Sequence, residues 1–167
     1  MWSYLIGFTG FVVTSMLQMS VFSQWTILSG NADIVLLFVV AWCLHDRSQH
    51  LWLLVLIMAG MVAFVSALPP VFPILVYLLV YRASRLFQTR LMQSPLLGML
   101  LLTFGASLLQ VVLHIAYLYV TRVDINLTDA LVQVALPSVL LNMLLAIPIH
   151  AIVREIAHYA FPKGVEA

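Results

Sequence analysis

Charge is the scarcest ingredient of this chain. Of its 167 residues only 8% are Asp, Glu, Lys or Arg, where a water-soluble domain carries about 25%. A surface so poor in charge does not stay dispersed in water, which argues against an ordinary soluble enzyme or nucleic-acid-binding module. Cysteine is nearly missing too. Cys43 is the single one, so no intrachain disulfide and no thiolate metal cluster forms, and its apolar surroundings read as packing. The sequence has no glycine-rich phosphate loop, no HExxH helix, no nucleophile elbow and no pair of carboxylates inside an apolar run. His45 and His50 are five apart across a polar stretch, too weak a pattern for a metal site. Asn126-Leu127-Thr128 matches a glycosylation sequon, a tripeptide that arises often by chance. Neither a catalytic role, a cofactor nor a nucleic-acid partner is expected. The N-terminus lacks the basic region and cleavage site of a secretory leader, so the first apolar run is expected to remain as a helix.

What is present is hydrocarbon. Hydrophobic residues make up 64% of the chain, and the mean hydropathy is +1.12. The expected fold is an all-α integral membrane protein, one domain over residues 1–167, built as a compact bundle of about six transmembrane helices. Segment one covers residues 2–22 without a charge, with Gly7 and Gly10 suited to close helix approach, and residues 23–31 form a polar turn with Trp25 at an interface. Segment two, residues 33–44, is only about 18 Å long against a hydrocarbon core of about 30 Å. Either it begins earlier, near Trp25, or it is a short helix buried in protein; Asn31 and Asp33 as N-cap residues favour the second. Segment three, residues 51–68, stops at Pro69-Pro70. Segment four runs from Pro73 into Arg82, Arg85 and Arg90, segment five spans residues 95–120, and segment six spans 130–153, with a short tail beyond Arg154.

Several side chains stand out against this background. Ala59, Ala63 and Ala67, with Gly60 beside them, put small residues on one face of segment three, for packing within the bundle or for docking a partner's helix. Gln110, His114 and Tyr117 place polar groups inside segment five. An interhelical hydrogen bond is the first reading, a substrate cavity or proton relay the second, and no mid-span acid pairs with His114. Asp33 reads as a helix cap. Asn142, between Pro137 and Pro148, is expected to bond a neighbouring helix.

The order of these features resembles the rod-shape-determining MreD family. An uncharged first helix is followed by Asn31-Ala32-Asp33 at the start of a short apolar helix. The late run Leu136-Pro137-Ser138-Val139-Leu140-Leu141-Asn142, with Pro148 and then Arg154, is similar to that family's last helix. The chain departs from the pattern at Ala32, where a proline is usual, and in segment three, where Ser66 and Pro69-Pro70 follow Gly60 without an acid. The resemblance implies a fold like the six-helix substrate-binding subunits of energy-coupling-factor vitamin transporters. It also implies a non-enzymatic scaffold in the bacterial inner membrane. Its expected partner is MreC, and through MreC the RodA glycosyltransferase, the elongation-specific penicillin-binding transpeptidase and MreB, with membrane lipid around it. Asp33, Ala59, Ala63, Ala67 and Asn142 would be the partner-binding residues. The competing expectation is a vitamin-type substrate-binding subunit of a transporter.

Orientation follows from the basic residues. With six spans and a cytoplasmic N-terminus, Arg47, Arg82, Arg85, Arg90, Arg154 and Lys163 all fall inside, and only Arg122 falls outside. Both termini are therefore expected in the cytoplasm. A reporter that is active only in the cytoplasm, fused at Ala167, should be active; activity of a periplasm-only reporter there would reverse the topology.

Overall fold

In a solvent without hydrogen-bonding groups each backbone N–H and C=O must find a partner in the chain, and a helix does this locally. The computed structural model describes residues 2–22, 26–27, 30–45, 51–66, 68–90, 94–123 and 126–160. Among these the chain is almost entirely helical. Helix α1 (Trp2–Leu17) widens into a π-helical turn, Gln18–Phe22. A two-residue antiparallel ribbon, β1 (Thr26–Ile27) with β2 (Gly30–Asn31), then leads into α2 (Ile34–His45). Next come α3 (Leu51–Val65), α4 (Val71–Arg90) and α5 (Pro95–Val120). A single turn, α6 (Leu127–Asp129), runs through the π-helical stretch Ala130–Ala135 into α7 (Leu136–Ala160). Three stretches are long and apolar enough to cross a membrane: Val71–Gln88, Pro95–Val120 and Leu127–Tyr159.

Element bounds follow local chemistry. Segment three ends at Val65, not at residue 68, because the Ser66 hydroxyl accepts the Leu68 N–H (3.1 Å) and turns the chain. Helix α4 starts ahead of Pro73; a proline in the first turn removes an N–H that has no intrahelical partner. The last helix is longer at both ends than residues 130–153. Asn126 caps its start, accepting the Thr128 N–H at 3.1 Å, so the sequon asparagine serves as a helix cap. Pro137 offers no N–H to the carbonyl one turn earlier, and the helix widens just ahead of it. The tail beyond Arg154 continues the helix to Ala160. The polar turn at residues 23–31 contains the ribbon, while Trp25 lies outside the described residues.

Side-chain contacts set the helix directions. Gly7 of α1 faces Trp42 and Gly10 faces Phe38, so α1 and α2 are antiparallel. Asp33 meets Asn142 and His45 meets His150, so α2 and α7 run the same way. Gln88 reaches Cys43, which makes α4 parallel to α2, and Gln110 reaches Asp33, which makes α5 antiparallel. Trp52 lines one groove with Tyr81 and Arg82, which turns α3 against α4. Arg82, Arg85, Arg90 and Arg154 therefore share one end of the bundle, and Arg122 lies at the other. Arg47 and Lys163 lie outside the described residues.

The core centres on α2, whose residues 34–43 are all buried. Phe11, Leu54, Met58, Tyr77, Met99 and Val153 close around it from five helices. The outward faces are apolar, with Phe64 94% exposed and Leu144 69% exposed, as suits a lipid-facing surface. Ala59 and Ala63 are buried inside the bundle, which corrects the docking reading of that stripe to packing; Ala67 lies outside the described residues.

The Phe38 and Trp42 rings stack with centroids 5.9 Å apart, and α1 approaches them through its two glycines. A Cβ at Gly7 would sit 2.7 Å from Trp42, and one at Gly10 2.7 Å from Phe38. Both rings are buried and have little room to yield. Gly7→Val and Gly10→Val should each destabilise the bundle by about 1–3 kcal/mol, read as a lower unfolding midpoint in detergent. Gly105→Val is the control, since a Cβ there meets open space.

Candidate functional site

Helix α2 has 12 residues, so it is about 18 Å long, too short for its two ends to reach both surfaces of a hydrocarbon core of about 30 Å. The first N–H groups and last C=O groups of any helix have no intrahelical partner. Here they are met by Asp33 itself and by side chains from three other places in the chain, Gln18, Asn142 and Gln88. At the N-terminus Asp33 caps its own helix, its Oδ1 accepting the Leu36 N–H at 2.9 Å. Gln18 bridges the entry: its amide N–H donates to the Ala32 carbonyl at 2.8 Å, and its Oε1 accepts the Ile34 N–H at 2.9 Å. Asn142 Oδ1 accepts the Asp33 N–H at 2.8 Å, and its amide donates to the Ser107 hydroxyl at 2.9 Å. The Gln110 amide donates to Asp33 Oδ2 at 2.9 Å. One step outward, the Ser138 hydroxyl accepts the Asn31 N–H at 3.1 Å and donates to the Val134 carbonyl at 2.7 Å.

The other end repeats the device with one residue. The Gln88 amide of α4 donates to the carbonyls of Cys43 (2.8 Å) and Leu44 (3.1 Å). Beside it the His45 and His150 rings lie 5.2 Å apart, with His45 Nδ1 donating to the Ala41 carbonyl at 2.8 Å. No group of three metal-ligating side chains occurs among the described residues.

The structure thus brings together Asp33, Gln110 and Asn142 from three helices. Asn142 is only 3% exposed and both ends of its amide are engaged, so it presents nothing outward to a partner. Asp33 uses both carboxylate oxygens within the chain. His114 and Tyr117 stand apart from this network: Tyr117 packs edge-on to Phe72 at 5.8 Å, and His114 is exposed along the wall of a cavity of about 480 Å³. Gln110, Ser138 and Asn142 line the same cavity. A second cavity, about 440 Å³, opens between α1 and α3, lined by Met16, Met19, Met61, Val62 and Val65, with Gln18 and Asp33 on its inner wall.

Reading the sequence alone missed Gln18, Gln88 and Ser107. The signal for Gln18 was present, since it is the single carboxamide in the uncharged run of residues 2–22, and an amide in an apolar helix seeks a partner. Gln88 stands among arginines and reads as surface. Ser107 is too common a residue in apolar helices to mark anything.

Comparison with family models, with curated proteins and with solved structures returns no match.

If this network holds α2, losing its central amide must cost stability. Asn142→Leu strands the Asp33 N–H and the Ser107 hydroxyl and should destabilise by about 1–3 kcal/mol. Tyr77→Phe removes a buried hydroxyl that has no partner among the described residues and should be neutral or stabilising by up to about 1 kcal/mol. Equal losses for both variants in reversible detergent unfolding would reject the capping account.

Proposed function

We propose that this chain is a non-catalytic scaffold of the MreD type. On this reading it is a six-span bundle in the bacterial inner membrane, with both termini in the cytoplasm. It holds MreC and, through it, connects to RodA, the elongation-specific transpeptidase and MreB in peptidoglycan synthesis and cell-shape control. One observation carries the reading. The two stretches that bear the family resemblance are more than a hundred residues apart, and they meet in one place: the Asn31 N–H on Ser138 and the Asp33 N–H on Asn142. A late Pro-Ser and Asn in one helix have a reason to accompany an Asn-x-Asp before another if each end depends on the other. Asp33, Gln110 and Asn142 also spend their hydrogen bonds on one another, on Ser107 and on backbone groups, which supports a structural role.

With Ala59, Ala63 and Asn142 turned inward, the partner's seat must be elsewhere. Gly60 lies on the outer part of α3, where a Cβ would meet nothing within 4 Å. A glycine inside an exposed helix costs about 1 kcal/mol relative to alanine, and no neighbour within this chain requires it. It shares the outward face of α3 with the exposed Leu53, Ile57 and Phe64, a face turned away from the methionine-lined groove between α1 and α3 and open to a partner's helix. We place the membrane helix of MreC there, with Gly60 permitting close backbone approach.

A second reading keeps one specific support. The cavity of about 480 Å³ gathers Gln110, His114 and Ser138, polar groups a vitamin-type ligand of a transport subunit would need.

Co-purification from detergent separates the two. MreC should be retained by the unaltered chain and reduced about tenfold or more by Gly60→Leu, a change the bundle has room for, while His114→Leu leaves it intact. Retention of MreC by Gly60→Leu at the unaltered level removes this seat, and failure of the unaltered chain to hold MreC removes the scaffold reading.

A further inference from the structure

Helix α4 carries a second feature that the scaffold reading does not use. Two grooves on its outer side share Leu78 and Arg82 as lining. One, about 410 Å³, lies between Trp52, Leu78, Tyr81 and Arg82. The other, about 420 Å³, continues past Leu75 to Val71. The second groove follows twelve residues of helix, Val71 to Arg82, a rise of about 16 Å, or roughly half of a 30 Å hydrocarbon core. It is apolar along its length and cationic at one end, and Trp52 stands at the cationic end, where an aromatic ring suits the headgroup boundary.

Neighbouring arginines do not share Arg82's position. Arg85 lies over the Tyr81 ring at 5.3 Å and donates to Gln88 at 3.3 Å. Arg154 pairs with Glu155 at 3.4 Å. Arg82 is exposed, and the ion pair found among the described residues does not include it. A guanidinium in this position matches a phosphate, which it can grip with two parallel N–H groups.

We propose that this groove binds an anionic phospholipid of the leaflet at the arginine end, its phosphate on Arg82 and one acyl chain along Leu78, Leu75 and Val71. Length, apolar lining and charge at one end together describe a lipid molecule and not a helix, which would bring no anion to that depth. A basic residue near an anionic headgroup adds about fivefold to binding.

Native mass spectrometry of the purified full chain tests this with phosphatidylglycerol and phosphatidylcholine as probes. The unaltered chain should retain phosphatidylglycerol in preference, and Arg82→Gln should lower that retention about fivefold. Leu75→Trp, which fills the groove and leaves the charge, should lower it as well, while Arg154→Gln leaves it unchanged. Equal retention of the two lipids by the unaltered chain overturns the proposal. So does retention by Arg82→Gln at the unaltered level, or an equal loss in Arg154→Gln, which would mark a general charge effect. A dimer that Leu75→Trp abolishes, with lipid retention intact, would assign the groove to a second copy and overturn the lipid site.

Discussion

The fold depends on a short apolar helix, α2, whose end groups are met by side chains of the rest of the chain. At 12 residues, α2 is too brief to carry its terminal N–H and its terminal C=O groups both out to water. In hydrocarbon those groups would cost several kcal/mol each if left unmet. Other helices are therefore obliged to deliver polar side chains to two fixed points, one at Asp33 and one at Cys43–Leu44. Gln18, Asn142 and Gln110 reach the first, and Gln88 reaches the second. That obligation sets the register of α1, α4, α5 and α7 against α2 more tightly than apolar packing does, because apolar surfaces slide past one another at little cost when lipid is the alternative.

Register fixed in this way carries over to shape. The glycines at positions 7 and 10 lie opposite Trp42 and Phe38 in the same register that brings Gln18, just past α1, to Ile34. In turn the π-helical turn at Gln18–Phe22 and the ribbon at Thr26–Ile27 and Gly30–Asn31 let the chain reverse within a few residues and present Asn31 to Ser138. The grooves between α1 and α3, and along α4, are what remains on the outside once these inner contacts have been satisfied.

Much of this was legible in the residues, and the reason is physical. Pro95 and the run to Val120 delimit α5 because a proline suits a first turn and a polar stretch ends an apolar run. The short second helix could be recognised from its length and from Asp33 as a cap. What composition does not reveal is direction. Ala59 and Ala63 look alike whether they face the bundle or a partner, and only the packing of α3 on its neighbours turns them inward. Gln88 was illegible for a related reason: its neighbours are arginines, so sequence context suggests water, while its side chain folds back to carbonyls deep in the bundle. Helices that widen, as at Ala130–Ala135, follow from Pro137 but only once the helix is known to begin before it.

A bundle that engages its polar side chains internally has few left with which to recognise a neighbour. Asp33 and Asn142, the two residues most conspicuous in the sequence, have their hydrogen-bonding capacity directed at the chain's own backbone and at Gln110 and Ser107. Recognition at the outer faces must then rest on shape, close backbone approach and the rim of basic groups at one end. Gly60, where an added Cβ would meet nothing within 4 Å, and Arg82, exposed in an apolar groove, are residues of those two kinds. Neither contributes to holding α2, so each can change without loosening the centre. In a membrane protein of this size, a firm polar core and a separately adjustable apolar exterior are therefore consequences of the same buried helix ends.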